Sequence, residues 1–565
     1  MKVSIKIDSR EVTVPEGSTI LEAAEKLKIS IPTMCYLNGY ERFTSCMICV
    51  VYEKNSDRLV PSCSMTVEQG MEIETNNEKV KEARKDTLDF LLSEHIGDCK
   101  APCQRACPAN MNIPQMIRQI KEKQFADAVI TVKKDIALPA VLGRICPAPC
   151  EKACNRKSYD SPVSICYLKR FVADIDLALD SPYRPEIKKK TGKKVAVVGA
   201  GPTGLSAAYY LIQEGHECFI YDQNPEPGGM LRYGVADEKL PKQVLDRELE
   251  RIFALGVKFY PGHLLGKDTY LEELKKKYDA VVLAIGKIEP EIFENSGIEL
   301  STRGIVINKR TFETTVPGIF AGGNAVAEGK MAIRALAHGK GISYSVNQFL
   351  KNLPITGPPQ RFDSRIGKLS EDELEELGKE AEKIIKSFCE GGPGGGGFFQ
   401  KESPPGRRRQ NNLTTAIKES SRCFNCDCRK PDSCKLRQYA EEYHANQRRF
   451  KLSTRKKFER IIQHDLVIYE PGKCIKCGLC VQITKKANEK FGLAFVNRGF
   501  EARIETPFNE PLSQALQKTA KECIEACPTG SLSFLPPAAR GALFVKTAPL
   551  DPLQKLLIKG VVKYE

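Results

Sequence analysis

Along residues 1–80 apolar and polar positions alternate in short runs, VSIKI, EVTV, LVPSC and MEIET, around one helical stretch, ILEAAEKLKI. Alternation with a period of two marks half-buried strands, so this segment predicts a small β-grasp domain. Between 81 and 187 the pattern turns helical: LDFLLSEHI, IPQMIRQIKEKQFADAVITV and YLKRFVADIDLAL, separated by cysteine-rich loops. KKKTGKK (188–194) reads as a linker. From 194 to 352 strand and helix patterns alternate, with KVAVVGAG, ECFIYD, DAVVLAIG and GIFAGGNA as the strand-like runs, which predicts a doubly wound α/β unit. Residues 353–410 hold one capped amphipathic helix, SEDELEELGKEAEKII, with Ser370 as N-cap and Glu373 completing a capping box. GGPGGGG (391–397) and PPGRRR (404–409) read as flexible linker. Residues 411–535 form a last cysteine-rich unit, and 536–565 a tail. The fold class expected is multidomain α/β.

At 565 residues the chain is long enough for about four domains. No window approaches the ~18 consecutive apolar residues of a membrane span, and the start, MKVSIKIDSR, has no apolar signal region. A cytoplasmic protein is expected. The 22 cysteines then do not read as a disulfide framework. They are bunched with gaps of two and three residues, a pattern of metal coordination. The formal charge is +15. A nucleic-acid partner would fit that excess, but the runs KKKTGKK, RRR and RKK lack interleaved aromatics for base stacking. Four-thiolate iron–sulfur clusters and a flavin dinucleotide each carry about −2, so five clusters and one flavin would offset roughly twelve of those charges. No Ser–His–Asp set or paired acids stand out, and no catalytic residue is assigned.

The first cysteine group is Cys35-x10-Cys46-x2-Cys49-x13-Cys63. Its close pair, distant partners and β-grasp setting favour a [2Fe–2S] centre over zinc. With LVPSCSMTVEQGMEIET, it resembles the N-terminal ferredoxin domain of the large iron–sulfur subunit of NADH dehydrogenases and of iron-only hydrogenases. Next come His95-x3-Cys99-x3-Cys103-x3-Cys107 and Cys146-x3-Cys150-x3-Cys154, then Cys166. CKAPCQRACPANMNIP and GRICPAPCEKAC resemble the helical domain of glutamate synthase small subunits and dihydropyrimidine dehydrogenase. That resemblance implies two [4Fe–4S] clusters sharing the groups crosswise: Cys99, Cys103 and Cys154 on one, Cys107, Cys146 and Cys150 on the other. His95 and Cys166 bring the ligand count to eight. Cys423-x2-Cys426-x1-Cys428-x5-Cys434 is a compact loop for [4Fe–4S], with zinc as the alternative. Cys474-x2-Cys477-x2-Cys480 with Cys527-Pro528 is a one-cluster ferredoxin signature. Cys523 is left as a spare or alternative ligand. This segment resembles the ferredoxin domain of NADH dehydrogenase and formate dehydrogenase iron–sulfur subunits.

Gly199-x-Gly201-x-x-Gly204 follows a strand pattern and opens a helix, with Asp222 ending the next strand pattern. The glycines admit a pyrophosphate at the helix N-terminus, and the acid can take a ribose hydroxyl. Gly228 and Gly229 with LRYG (Arg232), Gly286 after LAI, and Gly322, Gly323 and Asn324 in PGIFAGGNA resemble the FAD domain of the same small-subunit family. Those relatives insert an NAD(P) domain between the LAIG strand and PGIFAGG. Here the chain runs almost straight through, and the glycine run GGPGGGG is no substitute for a second nucleotide turn because no strand pattern feeds it. The expectation is an electron-transfer iron–sulfur flavoprotein subunit with FAD, one [2Fe–2S] and three or four [4Fe–4S] clusters. Its partners would be the other subunits of an oxidoreductase complex, catalytic and flavin/NADH-binding, or a ferredoxin. The complex could be of bifurcating, formate dehydrogenase, hydrogenase or tungsten-enzyme type. The alternatives are a glutamate-synthase-like small subunit feeding an amidotransferase, and a zinc-stabilised binding scaffold.

Overall fold

The structure, a computed structural model, describes residues 1–389, 413–450 and 455–535. The two linkers at 391–397 and 404–409 and the tail 536–565 lie outside the described residues. The chain divides into two compact units. One comprises Met1–Lys100, Arg361–Glu376 and the described residues from Cys426 onward; the other comprises Ala101–Gln360 and the described residues of Leu377–Asn425.

The first unit begins with β1 (Lys2–Ile7) and β2 (Arg10–Pro15), an antiparallel hairpin. Val3, Ile5 and Ile7 point inward and the intervening residues outward, as the alternation requires. α1 (Ile20–Lys26) starts at Thr19, whose side chain and that of Glu22 form a capping box. With β3 (Val50–Glu53), β4 (Arg58–Pro61) and β5 (Glu72–Glu74), the sheet order is β2-β1-β5-β3-β4. β1 and β5 are parallel and the other pairs antiparallel. α2 (Glu78–Ser93) follows, capped by Asn77.

The second unit opens with six helices: α3 (Pro102–Ala106), α4 (Ile113–Lys121), α5 (Phe125–Lys133), α6 (Pro139–Ile145), α7 (Pro149–Lys152) and α8 (Ile165–Leu177). Phe125 and Phe171 meet edge to face at 5.8 Å in their core. The strands β6 (Lys194–Val198), β7 (Glu217–Asp222), β8 (Lys258–Pro261), β9 (Ala280–Leu283) and β12 (Ile319–Ala321) form a wholly parallel sheet in the order β12-β9-β6-β7-β8. α9 (Pro202–Gln213), α10 (Met230–Tyr233), α11 (Lys242–Phe253) and α12 (Leu271–Lys277) occupy the connections. Between β9 and β12 lie a short 3₁₀ turn and the two-residue strands β10 (Leu300–Ser301) and β11 (Gly304–Ile305). α13 (Ala332–Leu350) packs along α9, where Ser206 Oγ donates to Leu336 O at 2.7 Å. α14 (Glu371–Cys389) starts at the Ser370–Glu373 box, in which each side chain accepts the other's backbone N–H. α15 (Leu413–Ser421) packs on α4 and α8 of the second unit.

The rest of the first unit holds α16 (Lys435–Glu442), β13 (Val467–Tyr469), α17 (Leu479–Lys486), β14 (Ala494–Val496), β15 (Arg503–Glu505), α18 (Leu512–Ala515), α19 (Ala520–Ala526) and β16 (Leu532–Phe534). β13 and β16 pair antiparallel, as do β14 and β15. The architecture is therefore multidomain α/β, with one mixed and one parallel five-stranded sheet. No helix among the described residues is long and apolar enough to cross a membrane.

Candidate functional sites

The second unit contains a cavity of about 1000 Å³ at the carboxyl ends of β6, β7 and β9. Gly199, Gly201, Asp222, Gly229, Gly286 and Asn324, all expected at a dinucleotide, line it. Open α/β sheets bind ligands at this edge. At Gly199, with φ +107°, a Cβ would stand 2.3 Å from Ala284 O; at Gly204 it would stand 1.9 Å from Gly199 O. Those two positions need glycine to close the turn onto the sheet and the helix onto the turn. At Gly201 a Cβ would meet nothing within 4 Å, so that backbone faces open space. Asp222 holds the loop: Ala200 N donates to its Oδ2 at 2.6 Å, and Asn224 N to its Oδ1 at 2.8 Å.

Other expected contacts stand behind the wall. Gly204, Gly228, Gly322 and Gly323 are not among the lining residues, and neither is Arg232. Arg232 is bound by Glu226 and Asp246 and donates Nε to Pro227 O. It braces the loop rather than facing the cavity. The sequence reading missed Lys330 and the first turn of α13, Ala332 and Ala335, which complete the wall. Their only signal was position, directly after the GGN turn. Arg144 and Ile145, at the end of α6, also line the cavity.

Cys146 follows Ile145, and around it the thiols of the second unit converge. Cys166 is hydrogen-bonded to Cys146 and Cys150, and Cys107 lies close enough to Cys146 for their charges to interact. Cys146 is driven up first by its bond with Cys166 and then by burial; burial raises Cys107. Lys169 is 4% exposed and points Nζ at Cys166 Sγ, 4.0 Å away. Burial works against its charge, but Cys166, Cys146, Cys150 and Cys107 outweigh it and hold the ammonium above its ordinary range. A cation among four thiols suits a group that binds as thiolates. α3, carrying Cys103, packs on α7, which carries Cys150. Cys423 also belongs to this unit. Asn425 N donates to its Sγ at 3.4 Å, and Phe424 packs edge-on to Tyr159 at 6.0 Å. Arg156, two residues beyond Cys154, bonds Arg422 O and stacks on Phe424. The 423 loop thereby docks beside Cys154.

In the first unit Cys35, Cys46, Cys49 and Cys63 are joined through Cys35–Cys46, Cys35–Cys63 and Cys49–Cys63 hydrogen bonds, and all are buried. The bonds from Cys46 and Cys63 hold Cys35 far below the usual thiol range and push both donors up. Cys474, Cys477, Cys480 and Cys527 line one small cavity walled by Tyr469 and Leu493. Cys523 is fully buried beside it, is absent from that lining, and has Cys480 O 3.9 Å from its sulfur. Cys35, Cys46, Cys434 and Cys477 share one apolar core with Met34, Ile48, Leu88 and Leu92. The sequence reading also missed Lys473, 2% exposed, which is paired with Glu470 at 2.6 Å and held above its ordinary range despite burial by Glu470 and Cys428. Among the described residues no three His, Cys, Asp or Glu side chains are arranged for a single metal ion.

Three family models match the chain: a 2Fe-2S iron-sulfur cluster binding domain over 1–78, the dihydropyrimidine dehydrogenase domain II with a 4Fe-4S cluster over 75–180, and the pyridine nucleotide-disulphide oxidoreductase domain over 175–341. Among curated relatives, the NADPH-Fe(3+) oxidoreductase subunit beta of Geobacter sulfurreducens is 39% identical over 238 residues, 40% of this chain and 35% of its own. The NADP(+)-dependent formate dehydrogenase subunit beta of Moorella thermoacetica is 38% identical over 207 residues, 33% of this chain and 29% of its own. The NAD-dependent dihydropyrimidine dehydrogenase subunit PreT of Salmonella typhimurium is 39% identical over 189 residues, 33% of this chain and 45% of its own. The chain thus spans less than half the length of each of these relatives. The expected family resemblance and cofactor classes hold, and zinc is not shown. The chain therefore carries a 2Fe–2S type domain, a 4Fe–4S type domain and a pyridine nucleotide-disulphide oxidoreductase type domain in sequence over residues 1–341.

Proposed function

We propose that this chain is the electron-transfer subunit of a larger oxidoreductase complex, passing electrons between FAD and a series of iron–sulfur clusters. The carrying observation is in the second unit. Arg144 and Ile145 line the dinucleotide cavity, and the next residue, Cys146, belongs to the thiol group around Lys169. A flavin held by the glycine loop would have a cluster immediately behind the wall. In the first unit the apolar core shared by Cys35, Cys46, Cys434 and Cys477 supports the same reading, because it brings cysteines of three groups into one water-poor region. FAD supplies two-electron chemistry and clusters supply one-electron steps. The chain's part is to hold both and exclude water.

At the finer level we read residues 1–80 as a β-grasp [2Fe–2S] domain, 81–187 as a helical cluster domain, 194–352 as a doubly wound FAD domain and 411–535 as a ferredoxin-like domain. Gly199, Gly201, Gly286 and Asn324 would contact FAD, with Gly204 and Asp222 shaping the loop. Cys107, Cys146, Cys150 and Cys166 would hold one [4Fe–4S] cluster, and Cys474, Cys477, Cys480 and Cys527 another. The setting would be cytoplasmic, with separate subunits supplying the substrate site.

The test is anaerobic purification of the chain followed by metal and flavin analysis. FAD and about 14–18 irons are expected, counting two for the [2Fe–2S] centre and four for each of three or four other clusters. Dithionite or a reduced ferredoxin should bleach the flavin through the clusters. Fewer than about ten irons after careful reconstitution, with zinc in their place, would overturn the reading.

A further inference from the structure

The reading above leaves His95, Cys99, Cys428 and Cys434 without a shared site. Cys99 and Cys428 are more than three hundred residues apart in sequence, with most of the second unit between them. In the first unit they are neighbours: Cys428 N donates to Cys99 O at 3.4 Å. We propose that His95, Cys99, Cys428 and Cys434 form one discontinuous site for a [4Fe–4S] cluster, with Cys423 excluded from it. This rests on the iron–sulfur reading of the chain, and it replaces two sequence expectations: Cys99 grouped with Cys103 and Cys154, and 423–434 as one self-contained loop.

Four observations meet here. First, the thiols lie near one another: Cys434 is close enough to Cys428 and Cys99 for their charges to interact, and Cys428 and Cys434 are buried. None of the three is in a disulfide, which leaves each sulfur available as a ligand. Second, the backbone is arranged around sulfur. Ser364 N points at Cys99 Sγ from 3.4 Å, and Cys99 N donates back to Ser364 O at 3.1 Å. Gly530 leaves the space that Cys428 Sγ fills, since a Cβ there would stand 2.3 Å from the sulfur. An N–H directed at a ligating sulfur tunes its cluster.

Third, His95 Nδ1 is shut off from solvent and has no hydrogen-bond partner. An imidazole with an unspent buried nitrogen has a donor left for a metal. The same segment is locked to the Lys473 turn: Ile96 N donates to Gly472 O at 2.7 Å, and Gly97 has no room for a Cβ beside Lys473 Cε, 2.5 Å away. Fourth, Lys473 supplies a buried cation whose charge interacts with Cys428. It does here what Lys169 does for the thiol group of the second unit. Three cysteines and one histidine give the four donors a [4Fe–4S] core needs. Cys423 belongs to the other unit, where the next residue, Phe424, packs on Arg156 and Tyr159.

The experiment uses the anaerobically purified full chain and reads iron content, electron paramagnetic resonance and redox titration. Cys99→Ser and Cys434→Ser should remove the same reduced-state signal, each with about four irons. The double variant should lose no more than either single one, while the flavin band and the [2Fe–2S] signal persist. His95→Cys should keep the iron count but change that one signal and lower its midpoint, because thiolate replaces imidazole. Should the serine variants fail to accumulate, unsubstituted protein grown with ¹⁵N-histidine gives the answer: a nitrogen coupling on one cluster signal, absent in His95→Cys. The proposal is overturned if Cys99→Ser and Cys434→Ser remove different signals, or if Cys434→Ser and Cys423→Ser remove the same one. It is also overturned if the histidine nitrogen couples to no cluster. Failure in those ways would leave total iron and FAD intact, whereas failure of the electron-transfer reading would show as their absence.

Discussion

At the scale of single residues, two lysines mark the cysteine sites more sharply than several of the cysteines do. Lys169 and Lys473 are both nearly fully buried, and each is kept charged by the groups around it. Isolated buried ammonium groups shed their proton, so a buried lysine above its ordinary range reports strong local negative charge. Part of the +15 balance is therefore placed against the thiol sites, as the sequence arithmetic anticipates. Lys169→Met should keep the nearby cluster assembled but lower its midpoint potential by tens of millivolts, because the reduced form carries the extra negative charge that Lys169 offsets. Redox titration followed by electron paramagnetic resonance reads this; an unmoved midpoint would mean that the ammonium does not face a cluster. Neither lysine was legible in the sequence. Cysteine spacing is a motif because ligands share a loop, whereas a counter-charge can come from any element that folds against it. Arg232 shows the converse. It sits in a cofactor-like motif, yet the fold spends it on Glu226 and Asp246.

At the scale of elements, α6 joins the flavin cavity to a thiol group, and its orientation depends on α11. Glu248 of α11 accepts Ala140 N at 2.9 Å and Val141 N at 2.8 Å, gripping the first turn of α6. Burial raises this carboxyl from 4.5 to about 7, and the two backbone N–H groups only partly counter that. The sign follows from the raised value. Below about pH 4.5 the carboxyl is neutral in folded and unfolded chain alike. As pH rises through 4.5 the unfolded chain ionises first, so folded stability falls until about pH 7 and then levels. The whole loss is at most about 3 kcal/mol. Glu248→Gln cannot ionise, so its stability should vary less with pH than the parent's between 5 and 8. The parent's advantage should shrink as pH rises, seen as thermal midpoints converging by a few degrees. A constant gap across that range would show that Glu248 is ionised throughout. Neither α6 nor α11 was singled out by the apolar pattern, and the grip between them joins residues about a hundred positions apart, which no local spacing reports.

At the scale of the whole molecule, the sequence made legible the kinds of site and left their membership partly hidden. Cys474, Cys477, Cys480 and Cys527 line one cavity as their spacing suggests, since most of that set is one loop. Residues 423–434 look like such a loop too, yet Cys428 N is bonded to Cys99 O, more than three hundred residues away in sequence. Spacing can group neighbours in a sequence; it cannot show that one unit is assembled from three separated stretches. The short connection between β9 and β12 was fully legible, and it shapes how the chain takes electrons. Hydride transfer needs a nicotinamide held within roughly 3–3.5 Å of the flavin. The resemblance to glutamate synthase small subunits implies a nucleotide domain at a place where this chain has the β10–β11 hairpin and a short turn. The Gly-x-Gly-x-x-Gly that follows a strand pattern is already used at 199–204. Isolated protein should therefore bind FAD yet be reduced by NADH or NADPH slowly or not at all, while dithionite or reduced ferredoxin bleaches the flavin. Adding native partner subunits should restore any pyridine-nucleotide activity, because they would supply the missing site. Stopped-flow absorbance at the flavin band makes the measurement. Fast, saturable bleaching by NADPH alone would show that the 1000 Å³ cavity, or another surface of this chain, positions a nicotinamide itself. The chain would then be a self-contained dehydrogenase rather than one link in a relay.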